Sequence, residues 1–253
     1  MRICLDIGNT MAKIVFFGQG GGIIHRYQTK THPAKSYDEY SSAFALYLEA
    51  NHLNGLPCDG AIVSSVVPSL PPVFSALVKE VFFVEPKVLG PGIKSGIAVK
   101  TDNPREVGAD LIAGAVGAKA LFGGDTIIAD MGTANKMTLL DERGDFVGCS
   151  IAPGLGLGLD ALVNKTAALT DVSLQIPAKI IGKNTPDSMN SGLLYGNAFQ
   201  IREMAKQIQN EVGKPLKMVL TGGYSHYVQP LLPEFVYEPD LIALGLYEIL
   251  KRY

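Results

Sequence analysis

The feature that most restricts this chain is a repeat. Ile3 to Phe17 form two apolar runs around Asp6-Ile7-Gly8-Asn9-Thr10, and Thr126 to Leu140 form two more around Asp130-Met131-Gly132-Thr133-Ala134. Each copy reads as strand, Asp-x-Gly with small polar residues, then strand: a hairpin whose glycine relaxes the tip. The copies stand about half a chain apart, and a motif recurring at half length points to duplicated domains.

The remaining pattern alternates strands and helices. In the first half, Ser36-Tyr37-Asp38-Glu39 is a capping box, opening a helix with Tyr40, Ala43, Phe44, Tyr47 and Leu48 on one stripe. Ala61 to Val67 is a buried strand stopped by Pro68. Ser69 to Val81 is a helix with Pro71 and Pro72 in its first turn. Glu106 to Leu121 is an Ala/Gly-rich helix that lets another surface pack close. In the second half, Gly154 to Ala168 reads as a helix. Thr185-Pro186, cap and first position, open another that runs to about Val212. Leu216 to Leu220 is a strand, and Asp240 to Arg252 is a closing helix. The fold class is α/β, with halves at 1–113 and 114–253.

Composition removes several classes. Hydrophobic residues make up 47% and charged residues 18%, a globular rather than a disordered balance. Net charge is −2 with no long basic stripe, so neither nucleic acid nor an anionic membrane is an expected partner. No apolar run has transmembrane length, and the start is not a signal peptide, because Asp6 breaks the apolar run. Cys4, Cys58 and Cys149 form no CxxC pair and read as buried small apolar side chains in a reducing cytoplasm.

Four features can carry chemistry. The first is the Asp6 hairpin: a glycine-containing tip offers backbone N–H groups to phosphate, Asn9 and Thr10 add side-chain donors, and Asp6 can hold Mg²⁺. Alone, it is an ordinary hairpin with a polar tip. The second copy changes the reading: Asp130 becomes a second carboxylate for the same metal-phosphate group, with Gly132 and Thr133 as donors. The third is Thr221-Gly222-Gly223-Tyr224-Ser225, where adjacent glycines let a base or ribose lie against backbone, or simply form a strand-to-helix turn. The fourth is Val107-Gly108-Ala109-Asp110, where a carboxylate at a helix start is either a cap or a base for a hydroxyl proton. There is no Walker A sequence. Gly154-Leu155-Gly156-Leu157-Gly158 reads as a close-packing helix start, and the four histidines show neither metal nor triad spacing.

Taken in order, these motifs resemble one family. Asp6-Ile7-Gly8-Asn9-Thr10, Ser64-Ser65-Val66-Val67-Pro68, Asn103-Pro104-Arg105-Glu106-Val107-Gly108-Ala109-Asp110, Asp130-Met131-Gly132-Thr133-Ala134, Ile151-Ala152-Pro153-Gly154, Gly182-Lys183-Asn184-Thr185 with Ser188-Met189-Asn190-Ser191-Gly192, and Thr221-Gly222-Gly223 follow the pattern of type III pantothenate kinases across almost the whole chain. The resemblance implies two duplicated actin-like (ribonuclease H-like) halves with an ATP cleft between them, and a homodimer. It implies transfer of the ATP γ-phosphate to pantothenate, the first step of coenzyme A synthesis. It makes Asp110 the general base. Asp6 and Asp130 serve Mg²⁺ and the phosphates, with K⁺ or NH₄⁺ near Asp130. It puts Thr101, Gly108, Ala109, Leu111 and Thr185 on the acceptor side.

The chain departs from that pattern at three places. Leu111 stands where the family has Arg, Thr101 where it has Tyr, and Asn135-Lys136 where two threonines are usual. Lys100, Arg105 and Lys136 are the neighbouring cations that could stand in for the Arg. Two other readings follow: a same-fold kinase for another small hydroxyl compound, or a nucleotide-binding regulator without catalysis. Asp110 argues against the regulator, which needs no acceptor-side base.

Overall fold

β1 (Arg2–Ile7) is apolar and buried at four of its six positions, Ile3, Cys4, Leu5 and Ile7, because both of its faces are covered. In the computed structural model, which describes residues 1–165 and 169–253, it lies at the centre of a five-stranded sheet. It pairs antiparallel with β2 (Met11–Phe17), which pairs antiparallel with β3 (Ile23–Lys30). On its other side it runs parallel to β4 (Gly60–Ser65), followed by β5 (Lys87–Val88). Ile3, Leu5 and Ile7, with Ala12, Ile14 and Phe16, turn to one face. There α1 (Tyr37–Ala50) and α2 (Pro71–Phe82) meet them through Tyr40, Phe44, Phe74 and Leu77. Cys4, Val15 and Phe17 turn to the opposite face, against Ala113 and Val116 of α3 (Ala109–Phe122). The expected capping box is present: Ser36 accepts from the Glu39 N–H and Glu39 accepts from the Ser36 N–H. Pro71 and Pro72 open α2 as expected.

The same design recurs. β6 (Thr126–Met131) pairs antiparallel with β7 (Ala134–Leu140), and β7 with β8 (Phe146–Pro153). β6 also runs parallel to β9 (Lys217–Thr221), which carries β10 (Val236–Tyr237). Both sheets therefore have the ribonuclease H-like order 3-2-1-4-5, as the actin-like expectation requires. Ile127, Ala129 and Met131 face a core with Leu194, Ala198 and Ile201. Leu155 of α4 (Leu155–Lys165) and Val228 of α7 (Ser225–Val228) join it; Ala198 and Ile201 lie in α6 (Gly196–Val212), and Leu194 in the π turn over Ser191–Tyr195 that joins α5 (Thr185–Asn190) to α6. The cap of α5 is Asn184, which accepts from the Asp187 N–H at 2.8 Å, so Thr185 is the first helical residue rather than the cap. The expected end of α4 at Ala168 lies outside the described residues.

The chain groups into two compact units that a cut at 113/114 does not describe. One comprises Met1–Ile97, Asp102–Ala120 and Ile242–Tyr253, the other Ala98–Thr101 and Leu121–Leu241. The closing helix α8 (Leu241–Leu250) returns to the first unit because its small residue Gly245 lets its backbone meet Ala113 and Gly117 of α3, and Leu246 and Ile249 join the Cys4 face. Of the cysteines only Cys4 is buried. Cys58 is half-buried and Cys149 is exposed, because β8 is an edge strand whose alternate positions face outward. Among the described residues no helix is long and apolar enough to cross a membrane.

Candidate active site

The first hairpin is tied from behind. The Gly8 N–H donates to the Met11 carbonyl at 3.0 Å, closing the turn. Thr31, just past β3, donates its hydroxyl to the Gly8 carbonyl at 2.7 Å and its N–H to the Thr10 carbonyl at 2.9 Å. With those carbonyls bound, Asn9 and Thr10 stand exposed at a rigid tip, a surface suited to an anion. Asp6 lies opposite Lys13 on β2 and beside Ser64 on β4. It shares its sheet face with Cys4, the face that α3 covers. The Ser64 hydroxyl is buried without a partner among the described residues.

The second hairpin is held by two glycine turns. The Gly154 N–H donates to the Thr133 carbonyl at 3.2 Å, and a Cβ at Gly154 would sit 2.6 Å from the Gly132 and Thr133 carbonyl oxygens. Gly222, at φ +99°, passes so close that a Cβ there would sit 2.5 Å from Asp130 Oδ1 and from the Met131 oxygen. The next turn is fixed by the Tyr224 N–H, which donates to the Met131 carbonyl at 2.9 Å. Gly156 makes room for the Tyr224 hydroxyl. The glycines at 154 and 156 are packing residues, as expected. So is Gly222, whereas its neighbour Gly223 faces open space.

Asp130 is buried, and it is not alone. Lys136, its direct partner across the antiparallel pair, brings Nζ to 2.7 Å from Asp130 Oδ2, with the two side chains 16% and 11% exposed. The sequence marks Lys136 as a departure from the family and as a cation that could stand in for the Arg, but not as the partner of Asp130. Counting back along β7 from the tip would have found the pair, since cross-strand partners share a face. Next to it, Asn135 donates to Asn197 Oδ1 at 2.6 Å, while its own Oδ1 is buried without a partner among the described residues.

Asp110 sits in the first turn of α3 without being its cap. The Gly108 carbonyl accepts the Ile112 N–H at 3.1 Å, which makes Gly108 the N-cap, Ala109 the first residue and Asp110 the second. Asp110 Oδ1 accepts the Leu111 N–H at 2.9 Å and lies where a Cβ on Gly108 would be 2.6 Å away, so the glycine clears the carboxylate. Thr101 belongs to the other unit, and its hydroxyl is buried without a partner among the described residues. Thr185 is exposed at the start of α5. Two of the three cations that could replace the missing Arg are engaged. Lys100 pairs with Asp141 and, at 3.1 Å, with Asp145, which hold its ammonium above the ordinary lysine range. Lys136 holds Asp130. Arg105 stands exposed before α3.

Two ions are implied by the family pattern, and the residues fit them differently. Among the described residues no group of three His, Cys, Asp or Glu gathers. Mg²⁺ needs only one or two carboxylates when phosphates and water supply the rest, and Asp6 fits that use. A free monovalent cation does not fit Asp130. Two unit positive charges about 4 Å apart at an effective dielectric of about 20 repel by about 4 kcal/mol, and the Lys136 ammonium already holds Oδ2.

The fold and its paired acidic hairpins define an α/β protein of the actin/sugar-kinase class. Two solved structures share that fold. One is a conserved protein assigned to the Baf family of transcriptional activators from Campylobacter jejuni (TM-score 0.62, 16% identity, 99% of this chain and 98% of that one). The other is the activator of 2-hydroxyisocaproyl-CoA dehydratase from Clostridium difficile with bound ADPNP (TM-score 0.54, 14% identity, 98% and 94%). The sequence match is more specific. Residues 2–207 fit the family described as type III pantothenate kinase. A type III pantothenate kinase from Dehalococcoides mccartyi strain CBDB1 is 37% identical over 245 residues, covering 96% of this chain and 93% of that protein. Another, from strain BAV1 of that species, is 38% identical over 226 residues (89% and 86%). The chain belongs to the type III pantothenate kinase family.

Proposed function

We propose that this chain transfers the γ-phosphoryl group of ATP to the hydroxyl of pantothenate, the opening step of coenzyme A synthesis. The carrying observation is the family match along almost the whole chain, together with a carboxylate, Asp110, in the first turn of α3. Asp110 takes the hydroxyl proton as the acceptor oxygen bonds to the γ-phosphorus and the bond to the ADP oxygen breaks. Asn9, Thr10 and Thr133 donate hydrogen bonds to the phosphates; Gly8 and Gly132, whose N–H groups close their own turns on the Met11 and Ala134 carbonyls, let the phosphates approach with no side chain in the way, and Gly222 and Gly223 flank the nucleoside. Asp6 holds Mg²⁺, directly or through water, and that ion supplies charge neutralisation at the phosphates. Asp130 serves the same group as half of an ion pair. Thr101, Gly108, Ala109, Leu111 and Thr185 line the acceptor. We further assign a homodimer in the cytoplasm.

One observation favours a second acceptor. Leu111 donates no side-chain hydrogen bond, and Lys100 and Lys136 are held elsewhere, so a carboxylate-bearing acceptor loses a charge-assisted partner. An ADP-release assay with pantothenate and a panel of small alcohols and sugars separates the readings. Turnover of pantothenate to phosphopantothenate supports the first. ATP binding without turnover of any acceptor would leave a nucleotide-binding regulator.

A further inference from the structure

We infer that Lys136 is a tethered monovalent cation: its ammonium, seated on Asp130, takes the place that K⁺ or NH₄⁺ would need, and phosphoryl transfer by this chain depends on neither ion. The inference rests on reading the chain as an ATP-dependent kinase. Its first support is geometric. Asp130 and Lys136 are direct partners in an antiparallel ladder, so the charge is placed by backbone register and not by a mobile surface chain. The Nζ–Oδ2 separation is 2.7 Å with both side chains mostly buried.

The second support is the other carboxylate oxygen. Asp130 Oδ1 faces the Gly222 turn, where even a methyl carbon would sit 2.5 Å away. The carboxylate thus has the ammonium at Oδ2 and the Gly222 backbone packed beside Oδ1. The third is chemical: an alkylammonium carries the unit charge by which a bound K⁺ or NH₄⁺ would steady an anionic phosphate, and, like NH₄⁺, it has N–H donors, three of them. Lys136 is on this account a positioning residue for Asp130 and the phosphate-facing tip, not a group that touches the reacting atoms.

The test uses the full chain with MgATP at constant ionic strength in tetramethylammonium, Na⁺, K⁺ or NH₄⁺ chloride. Two quantities are read: the rate of ADP release with pantothenate, and the rise in Tm caused by MgATP alone. The unmodified chain should give the same values in all four salts. Lys136→Thr should lose about 10- to 150-fold in rate in tetramethylammonium, the worth of a hydrogen bond to a charged group, and recover in K⁺ or NH₄⁺. Its MgATP-induced Tm rise should become K⁺-dependent in parallel. Lys136→Arg, which keeps the charge, should remain indifferent to the salt. If the Thr variant does not fold, Lys136→Gln takes its place. Several-fold activation of the unmodified chain by K⁺ overturns the inference. So does a folded Lys136→Thr that ignores the salt or that no monovalent ion restores. If no pantothenate is turned over, the acceptor assignment fails, while the MgATP melting series still decides the cation question.

Discussion

Replacing Gly222 by Ala tests whether the second hairpin is built by close packing or shaped for a ligand. Two costs add. The residue sits at φ +99°, outside the usual region for a side chain, and left-handed backbone costs a residue with a Cβ about 1–2 kcal/mol. The new methyl would also stand 2.5 Å from Asp130 Oδ1 and from the backbone of Met131. Backbone cannot swing aside as a flexible side chain can, and overpacking costs about 1–3 kcal/mol. The sum is about 2–5 kcal/mol. For a chain of this size each kcal/mol lowers Tm by about 2–4 °C, so thermal unfolding should fall by about 4–20 °C. Gly223→Ala is the internal control, because nothing lies within 4 Å of its added carbon and its φ is ordinary. Its Tm should stay level or rise slightly, while the KM for ATP rises if a nucleoside lies against that glycine. The assay is calorimetry of the three proteins without nucleotide. A Gly222→Ala protein melting within a degree or two of the unmodified chain would refute the packing account, and equal losses at both positions would refute the contrast.

Asp110→Asn should lower kcat by about 10²–10⁴-fold with little change in MgATP binding; near-normal turnover would reduce Asp110 to a helix-end charge. Leu111→Arg, alone or with Thr101→Tyr, should lower the KM for pantothenate by about 10- to 150-fold, the worth of a charge-assisted hydrogen bond; tight pantothenate binding by the unmodified chain would show that another residue, such as Arg105, has taken that role. Asp6→Ala should raise the Mg²⁺ concentration needed for half-maximal activity, and an unchanged requirement would count against its metal role. Lys100→Ala should lower Tm at neutral pH. Asp145 is held below the ordinary carboxylate range by the Ala98 N–H and then by Lys100. Burial would raise Asp141, but Lys100 and backbone donors outweigh it. A lowered carboxylate contributes stability above its unfolded pKa and loses it as pH falls through the folded one. The Tm gap between the two proteins should therefore close below about pH 4, and a gap that persists there would refute the pairing.

What could be read in advance was whatever left a mark within a few residues. The hairpins around Asp6 and Asp130, the capping box at Ser36 and the paired prolines of α2 are local, and each appears where its residues put it. β3 and β8 left less trace. Both are outer strands whose exposed positions alternate with half-buried ones, so His25, Arg26, Gln28 and Lys30 can sit in a strand without breaking it. The place of α8 was hidden for another reason. Its fit depends on Gly245 meeting α3 more than a hundred residues earlier in the chain, a relation that no local periodicity encodes. The Asp130–Lys136 pair lay between these cases, visible only once the loop length of the second hairpin is known.

That loop length carries a further consequence. Between the last paired residues, Ile7 and Ala12 in the first hairpin and Met131 and Asn135 in the second, the second turn is the shorter. A difference in turn length shifts every later residue of the returning strand, and a shift of one moves side chains to the opposite face. Yet a lysine stands directly opposite the strand-end aspartate in both: Lys13 opposite Asp6 and Lys136 opposite Asp130. Copying the first sequence unchanged into the shorter turn would have put the charge on the wrong face. The second lysine is thus placed by its own register, and the two hairpins agree in geometry where they differ in spacing. Comparison of the two hairpins by structural position, rather than by residue count from the aspartate, is what brings the lysines into line. It also explains why the Asp-x-Gly motif could reveal the duplication while concealing the charge that completes its second copy.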